Sequence, residues 1–176
     1  DKVLTGDKLY FNRNTGFGKG NGNVKLDDPK QNRFIKGGYG EIYEKKDSAM
    51  VTEKPYFVKI LSKDSIYISA EKFLTYQKPD SIDKLKKKSF LSGFRKVRIF
   101  KTNMQGRADS LSFNETDGEM HLMRKPILWM GAKQVSGDEI RVYSNPEKEV
   151  TDSIRVLGNA FAISKADSLN LKDEFN

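Results

Sequence analysis

The sequence contains no cysteine, which excludes disulfides and thiolate metal sites and leaves redox chemistry silent about compartment. Its one histidine, His121, stands between Met120 and Leu122 with no partners at ligand spacing, so no metal site is expected. No apolar run approaches the roughly 20 residues that a membrane-spanning helix needs. Helical periodicity is missing as well, apart from the polar stretch "DSIDKLKKKSF". There is no nucleophile elbow. The Gly-rich "GFGKGNGN" lacks the Lys-Ser/Thr ending of a phosphate-binding loop and any helix after it, and reads as a turn. Neither a catalytic constellation nor a cofactor is implied.

What is present is alternation. "GRADSLSFNETDG" and, near the chain end, "KADSLNL" share one stencil: a small residue, an acid, then apolar residues two apart. Two is the period of a strand with one buried face. The stencil recurs at Gly6-Asp7, Ala70-Glu71, Ala108-Asp109, Gly137-Asp138 and Ala166-Asp167, with a degenerate copy at Gly40-Glu41. Its acids, Asp7, Glu41, Glu71, Asp109, Asp138 and Asp167, are separated by 34, 30, 38, 29 and 29 residues, which is the mark of a structural repeat. Each copy is followed by a polar turn such as "NRNTG", "EKKDS" or "NETDG". A second apolar run then passes through Gly-Asn or Lys-Pro: "GNVKL", "KPYFV", "KPILW", "GNAFAI". The small residue suits a bulge where a strand turns a corner, and the acid suits a solvated or turn-bonding role. A calcium-binding acid stack would need further oxygen ligands at fixed offsets, which are absent.

Repeats of this size bury an apolar face only by stacking. The expectation is therefore an all-β, elongated structure built from repeats of about 30 residues, with helix, if any, confined to 79–90. Hydrophobic residues make up 36% and charged residues 32%, a polar balance that suits a thin shape with much surface. The net charge of +8 favours anionic partners without choosing among nucleic acid, lipid and acidic polysaccharide. The chain starts at Asp1 and stops at "LKDEFN" as the stencil restarts, which predicts a trimmed piece of a longer protein.

The order of "GNVKL", "GYGEIYEKKDSAMVTEKPYFV", "ADSLSFNETDGEMHLMRKPILW", "QVSGDEIRVY" and "VLGNAFAI" resembles the OstA-like family, from Gly6 to Leu171. That family comprises the periplasmic lipopolysaccharide-transport proteins and the N-terminal domain of their outer-membrane partner. The Lys- and Tyr-rich form looks like the branch of Bacteroidetes-type bacteria. The resemblance implies one OstA-like domain over 1–176, a twisted open β-jelly roll whose two antiparallel sheets face each other across a hydrophobic groove. It further implies transport without catalysis: lipid A acyl chains carried through the periplasm, and similar domains joined end to end through terminal strands. Membrane contact would come only through partner proteins, and a signal peptide would already have been removed. The interval holding "QKPDSIDKLKKKSFLSG", 77–93, is longer than in compact members.

On this reading one face of each strand is apolar. The candidate lining is Leu9 and Phe11, Val24 and Leu26, Ile66 and Ile68, Val97 and Ile99, Leu111 and Phe113, Met120 and Leu122, Ile140 and Val142, and Ile154 and Val156. Most of these belong to a packed core, and the remainder line the groove where the sheets splay. Burying about twelve methylenes at about 0.8 kcal/mol each gains roughly 10 kcal/mol before entropy losses. Trp129 is placed in the core. The basic cluster from Lys84 to Lys101 reads as a solvated loop and strand edge, with Lys86, Lys87, Lys88, Arg95 and Arg98 as candidate contacts for lipid phosphates or acidic sugars. Phe90, Phe94 and Phe100 lie among these cations, but no nucleic-acid motif accompanies them and no nucleic acid is expected. Two rival readings keep the repeat: a carbohydrate-binding or carbohydrate-active β-helix of the envelope, using the stencil acids, and an adhesin-like scaffold presenting sheet edges.

Overall fold

Short apolar runs with period two, ended by Gly, Asn and Asp turns, fold as strands throughout. The computed structural model describes residues 2–164 and holds no α-helix among them. The first eight strands are β1 (Val3–Thr5), β2 (Lys8–Asn12), β3 (Phe17–Asp28), β4 (Arg33–Tyr43), β5 (Ser48–Thr52), β6 (Tyr56–Ile60), β7 (Ser65–Ser69) and β8 (Lys72–Pro79). The rest are β9 (Lys87–Lys101), β10 (Met104–Asn114), β11 (Glu119–Met123), β12 (Ile127–Met130), β13 (Lys133–Ser136), β14 (Glu139–Asn145), β15 (Val150–Leu157) and β16 (Phe161–Ser164). Single 3-10 turns at Pro29–Gln31 and Glu44–Lys46 are the only helical pieces described. The stretch at 80–86 is a loop between β8 and β9, where weak periodicity had suggested a helix. The Gly-rich "GFGKGNGN" is the first half of β3 rather than a turn.

The strands form two facing sheets. The first runs β1, β3, β4, β6, β7, β9, β10, β12, β13, β16; the second runs β2, β3, β4, β5, β8, β9, β10, β11, β14, β15. β3, β4, β9 and β10 contribute one half to each sheet, so they bend along a common corner line. Every described pairing is antiparallel, which is the expected open jelly roll and not the parallel stack of a β-helix.

The corner explains the stencil. At each turn one strand carries two successive residues with positive φ: Gly22-Asn23, Glu53-Lys54, Arg95-Lys96, Arg124-Lys125 and Gly158-Asn159. Opposite four of the five lies a small residue followed by an acid, whose amide closes the bulge. Asp7 N–H donates to Gly22 O at 2.9 Å, and Asp138 N–H to Gly158 O at 2.8 Å. The acid's side chain then holds the bulge: Asn23 donates to Asp7 at 2.9 Å, Asn159 to Asp138 at 3.0 Å, and Arg124 to Asp109 at 3.0 Å. Glu71 pairs with Arg95 at 3.3 Å and Lys96 at 2.7 Å. The degenerate copy was placed three residues late. The corner is Gly37-Gly38, with Gly38 N–H on Glu53 O at 3.0 Å, and Glu41 instead accepts from the Tyr39 hydroxyl at 2.6 Å. The copy at Asp167 lies outside the described residues.

Gly37 shows how tight the corner is. An added Cβ would lie 2.5 Å from Thr52 O and 2.7 Å from Val51 Cγ1, with backbone on one side. Gly37→Ala is expected to cost about 1–3 kcal/mol by overpacking, read as a lower urea midpoint with an unchanged slope. Gly131→Ala is the control. Nothing lies within 4 Å of its Cβ, so its cost is confined to the strain of φ +57.

Candidate functional site

The register places the apolar residues in rows that cross the sheets from edge to edge. In the second sheet one row runs Leu9, Gly20, Gly40, Val51, Phe73, Gly93, Leu111, Leu122, Ile140, Val156. The neighbouring row runs Phe11, Gly18, Ile42, Ala49, Thr75, Leu91, Phe113, Met120, Val142, Ile154. The facing row of the first sheet runs Leu4, Leu26, Ile35, Phe57, Ile68, Ile99, Gly106, Leu128, Val135. All sixteen candidate lining residues lie along this interior, and the structure separates them by position. Leu26, Ile68, Val97, Ile99, Leu111, Phe113, Met120, Leu122, Ile140 and Val142 are buried in one cluster between the sheets, and Val24 is fully buried against Gly20 and Gly40. Ile66, Ile154 and Val156 are half-buried against them, and Leu9 and Phe11 are exposed at the N-terminal edge, over Gly20 and Gly18. Phe57 and Phe73, fully buried, face each other across the interior at 6.5 Å.

Away from the corner the two sheets end in rows of hairpin turns, and this open side is polar. Arg33, at the start of β4, is 5% exposed and points inward in phase with Ile35. Its Nε and Nη2 donate to Asp28 Oδ2 at 3.3 and 3.1 Å. Its Nη1 pairs with Glu115, 4% exposed, in the β10–β11 turn of the opposite sheet. Lys59 Nζ lies 4.0 Å from the same carboxylate and over the Phe113 ring at 5.9 Å. Burial pushes the Lys2, Arg33 and Lys59 pKa values down, and Arg33 lowers its two lysine neighbours further. A second link joins the sheets beyond it, where the Ser62 amide donates to Glu149 at 2.9 Å and its hydroxyl to the same oxygen.

The Arg33–Glu115 pair divides the open side. Toward the N-terminal edge a cleft of about 480 Å³ lies between Lys2, Asp28, Ile42, Tyr43, Asp47, Ala49 and Gln77. Beyond the pair a cavity of about 70 Å³ remains among Lys59, Ile66, Met104, Phe113, Glu115, Met120, Val142 and Glu149. Ligand pockets typically need about 300–1,000 Å³, so of these two only the first has that room.

The five candidate anion contacts do not form one patch. Lys86, Lys87 and Lys88 lie at the β8–β9 hairpin and pair with Asp83, Asp47, and Asp80 and Asp117. Arg95 is at the corner with Glu71, and Arg98 is exposed on the outer face of the first sheet. His121 lies on the outer face of β11, 2.8 Å from Glu119 and 3.3 Å from Glu139. Trp129 is not in the core. It sits on the outer face with its indole N–H on Gln134 at 2.8 Å, because its neighbour Leu128 takes the inward phase. Sequence reasoning missed Arg33, Lys59 and Glu115.

Residues 57–148 match the model of a family described as LptA/(LptD N-terminal domain) LPS transport protein. Among solved structures, the chain is similar to LptH, described as the LptA homologous periplasmic component of the conserved lipopolysaccharide transport device from Pseudomonas aeruginosa. The match covers 94% of this chain and 96% of that one at 9% identity, with a TM-score of 0.38. No curated protein matches.

The Ser62–Glu149 link gives a pH signature. The Ser62 hydroxyl and amide hold the Glu149 carboxyl below its ordinary value of 4.5. A depressed folded value means that the link stabilises above 4.5 and is lost as pH falls through the lower folded value. Glu149→Gln should therefore melt below the parent at neutral pH, with the difference closing in acid. A melting difference that stays constant down to about pH 3 would show that the link carries no such linkage.

Proposed function

Because the chain belongs to the LptA/(LptD N-terminal domain) family of LPS transport proteins, we propose that it holds lipopolysaccharide acyl chains between its sheets and hands them across the periplasm toward the outer membrane. Members of this family are transport proteins and not enzymes, so binding and release are the whole of the chemistry. Supporting the finer reading above all is the continuity of the inner rows. They reach both sheet edges without a charged interruption, and their apolar ends, Leu9 and Phe11, are exposed. An acyl chain sliding along such rows meets similar apolar surface at each strand, which keeps its energy nearly level.

The same rows support an assembly. Among the described residues, β1 and β2 at one end, and β15 and β16 at the other, each have a partner on one side only. They carry exposed apolar side chains: Val3, Leu9, Tyr10 and Phe11 at the first end, Val150, Leu157, Phe161 and Ile163 at the second. Unpaired edges of this kind invite strand addition. In this proposal residues 1–176 act as a single domain that joins similar domains end to end and meets membranes only through them. Leu169 in the stencil copy "KADSLNL", where a proline would remove a ladder donor, lies outside the described residues.

Purified protein from a lipopolysaccharide-producing host should yield acylated glycolipid on extraction and mass spectrometry. Sedimentation velocity over a hundredfold concentration range should show open-ended association. Recovery of no glycolipid would end the lipid reading. A single monomeric species throughout would end the end-to-end reading.

A further inference from the structure

The open side raises a question that the apolar rows do not answer: why does an interior lined with apolar rows bury an arginine and two carboxylates beside a half-buried lysine? A buried ion pair is poor value for stability, since apolar residues of the same volume often stabilise as well or better. Its best-attested use is in specificity and switching. Here Arg33 belongs to one sheet and Glu115 to a turn of the other, so the pair is a clasp across the opening through which a lipid would enter sideways.

We infer that this clasp is an anion site in which Glu115 is a removable stand-in for the phosphate of an amphiphile. Three observations carry this. First, Asp28 holds Arg33 by Nε and Nη2, so the guanidinium keeps its place when Nη1 loses Glu115. Second, Thr75 is 3% exposed, its hydroxyl has no hydrogen-bond partner among the described residues, and it lines the same narrow void as Arg33 and Asp28. A donor is thus already buried beside the guanidinium with nothing to serve. Third, cations converge here. Lys2 and Lys59 flank Arg33 around Asp28, with Asp47 acting also on Lys2 and Glu149 on Lys59. The departure of Glu115 removes one of the negative charges that balance them, and a phosphomonoester, at about −1.5 to −2, would replace it. Arg33 and Lys59 supply N–H donors of the kind that bind phosphate oxygens. Displacing Glu115 frees the β10–β11 turn from the first sheet, so phosphate binding and parting of the sheets are one event. A neutral amphiphile of equal chain length must leave Arg33 Nη1 and Lys59 without the Glu115 carboxylate and with nothing in its place, and is disfavoured for that reason.

This inference rests on the acyl-chain reading above, and the test keeps the two apart. Displacement of a fluorescent apolar probe is measured with dodecyl phosphate, dodecyl maltoside and inorganic phosphate, with thermal melts run on every variant. The parent should prefer dodecyl phosphate to dodecyl maltoside by about tenfold or more, from hydrogen bonds to charged groups. Inorganic phosphate should not displace the probe. Arg33→Gln should bring the preference near one, and Glu115→Gln should strengthen dodecyl phosphate binding. If Arg33→Gln does not fold, Lys59→Gln and Thr75→Val must each reduce the preference. Equal binding of the two detergents by the parent would overturn the anion site while leaving the acyl-chain reading intact. Displacement by inorganic phosphate alone would overturn the coupling to an amphiphile. If neither detergent displaces the probe, both readings fall.

Discussion

Everything in this fold depends on strands that bend from one sheet into the other at the same line. Each bend places two residues in the left-handed region, and most of them are not glycine: Glu53, Lys54, Arg95, Lys96, Arg124 and Lys125 all have positive φ. Such conformations cost roughly 1–2 kcal/mol per residue and persist only where neighbours over-determine them. The neighbour is the stencil. Its small residue lets the backbones close, its amide caps the bulge, and its acid takes the Asn amide or the Arg and Lys heads that the bulge projects outward. The period of the sequence is thus the period of the corner.

A fixed corner has a mechanical consequence. With one long side of the interior pinned by backbone hydrogen bonds, the sheets can part only along the other. That other side is joined by side chains, Arg33 with Glu115 and Ser62 with Glu149, and both links can break without disturbing a ladder. The exposed carboxylate of Glu149 and the buried one of Glu115 differ in kind. The first is a hydrated contact of small worth. Breaking the second leaves desolvated charges that demand a replacement.

The sequence carried the corner more plainly than the open side. Gly-Asn and Lys-Pro in the second runs mark the left-handed pairs, because Gly and Asn tolerate that region and Pro cannot donate after it. The second corner escaped because Gly37-Gly38 has no acid, and the next acid, Glu41, is bonded to tyrosines on the outer face. Most inward-facing residues were legible from period two, yet how far the sheets part is something that no local pattern encodes. Trp129 was misplaced because size was weighed over phase; Leu128 beside it fixes the inward direction. Arg33 and Lys59 were legible in the same way. Each sits two residues from an inward apolar residue, Ile35 and Phe57, and so shares its face. A charged residue in apolar phase at a strand end was the available signal.

If acyl chains are carried between the sheets as proposed, the closed interior also sets the energetics of carriage. An acyl chain of about twelve carbons leaving water gains roughly 10 kcal/mol, but here the rows already bury one another, with Leu122, Leu128 and Ile140 fully covered. Entry of a chain exchanges contacts between sheets for contacts with lipid, so only the difference is left as binding free energy. That difference is small where the rows are uniform, and it is largest where Leu9 and Phe11 stand uncovered at the edge. A conduit needs this arrangement, because a site that kept the whole transfer free energy would hold its lipid and not release it. Level rows have no preferred direction, so the direction of movement must be imposed by what lies at the two ends.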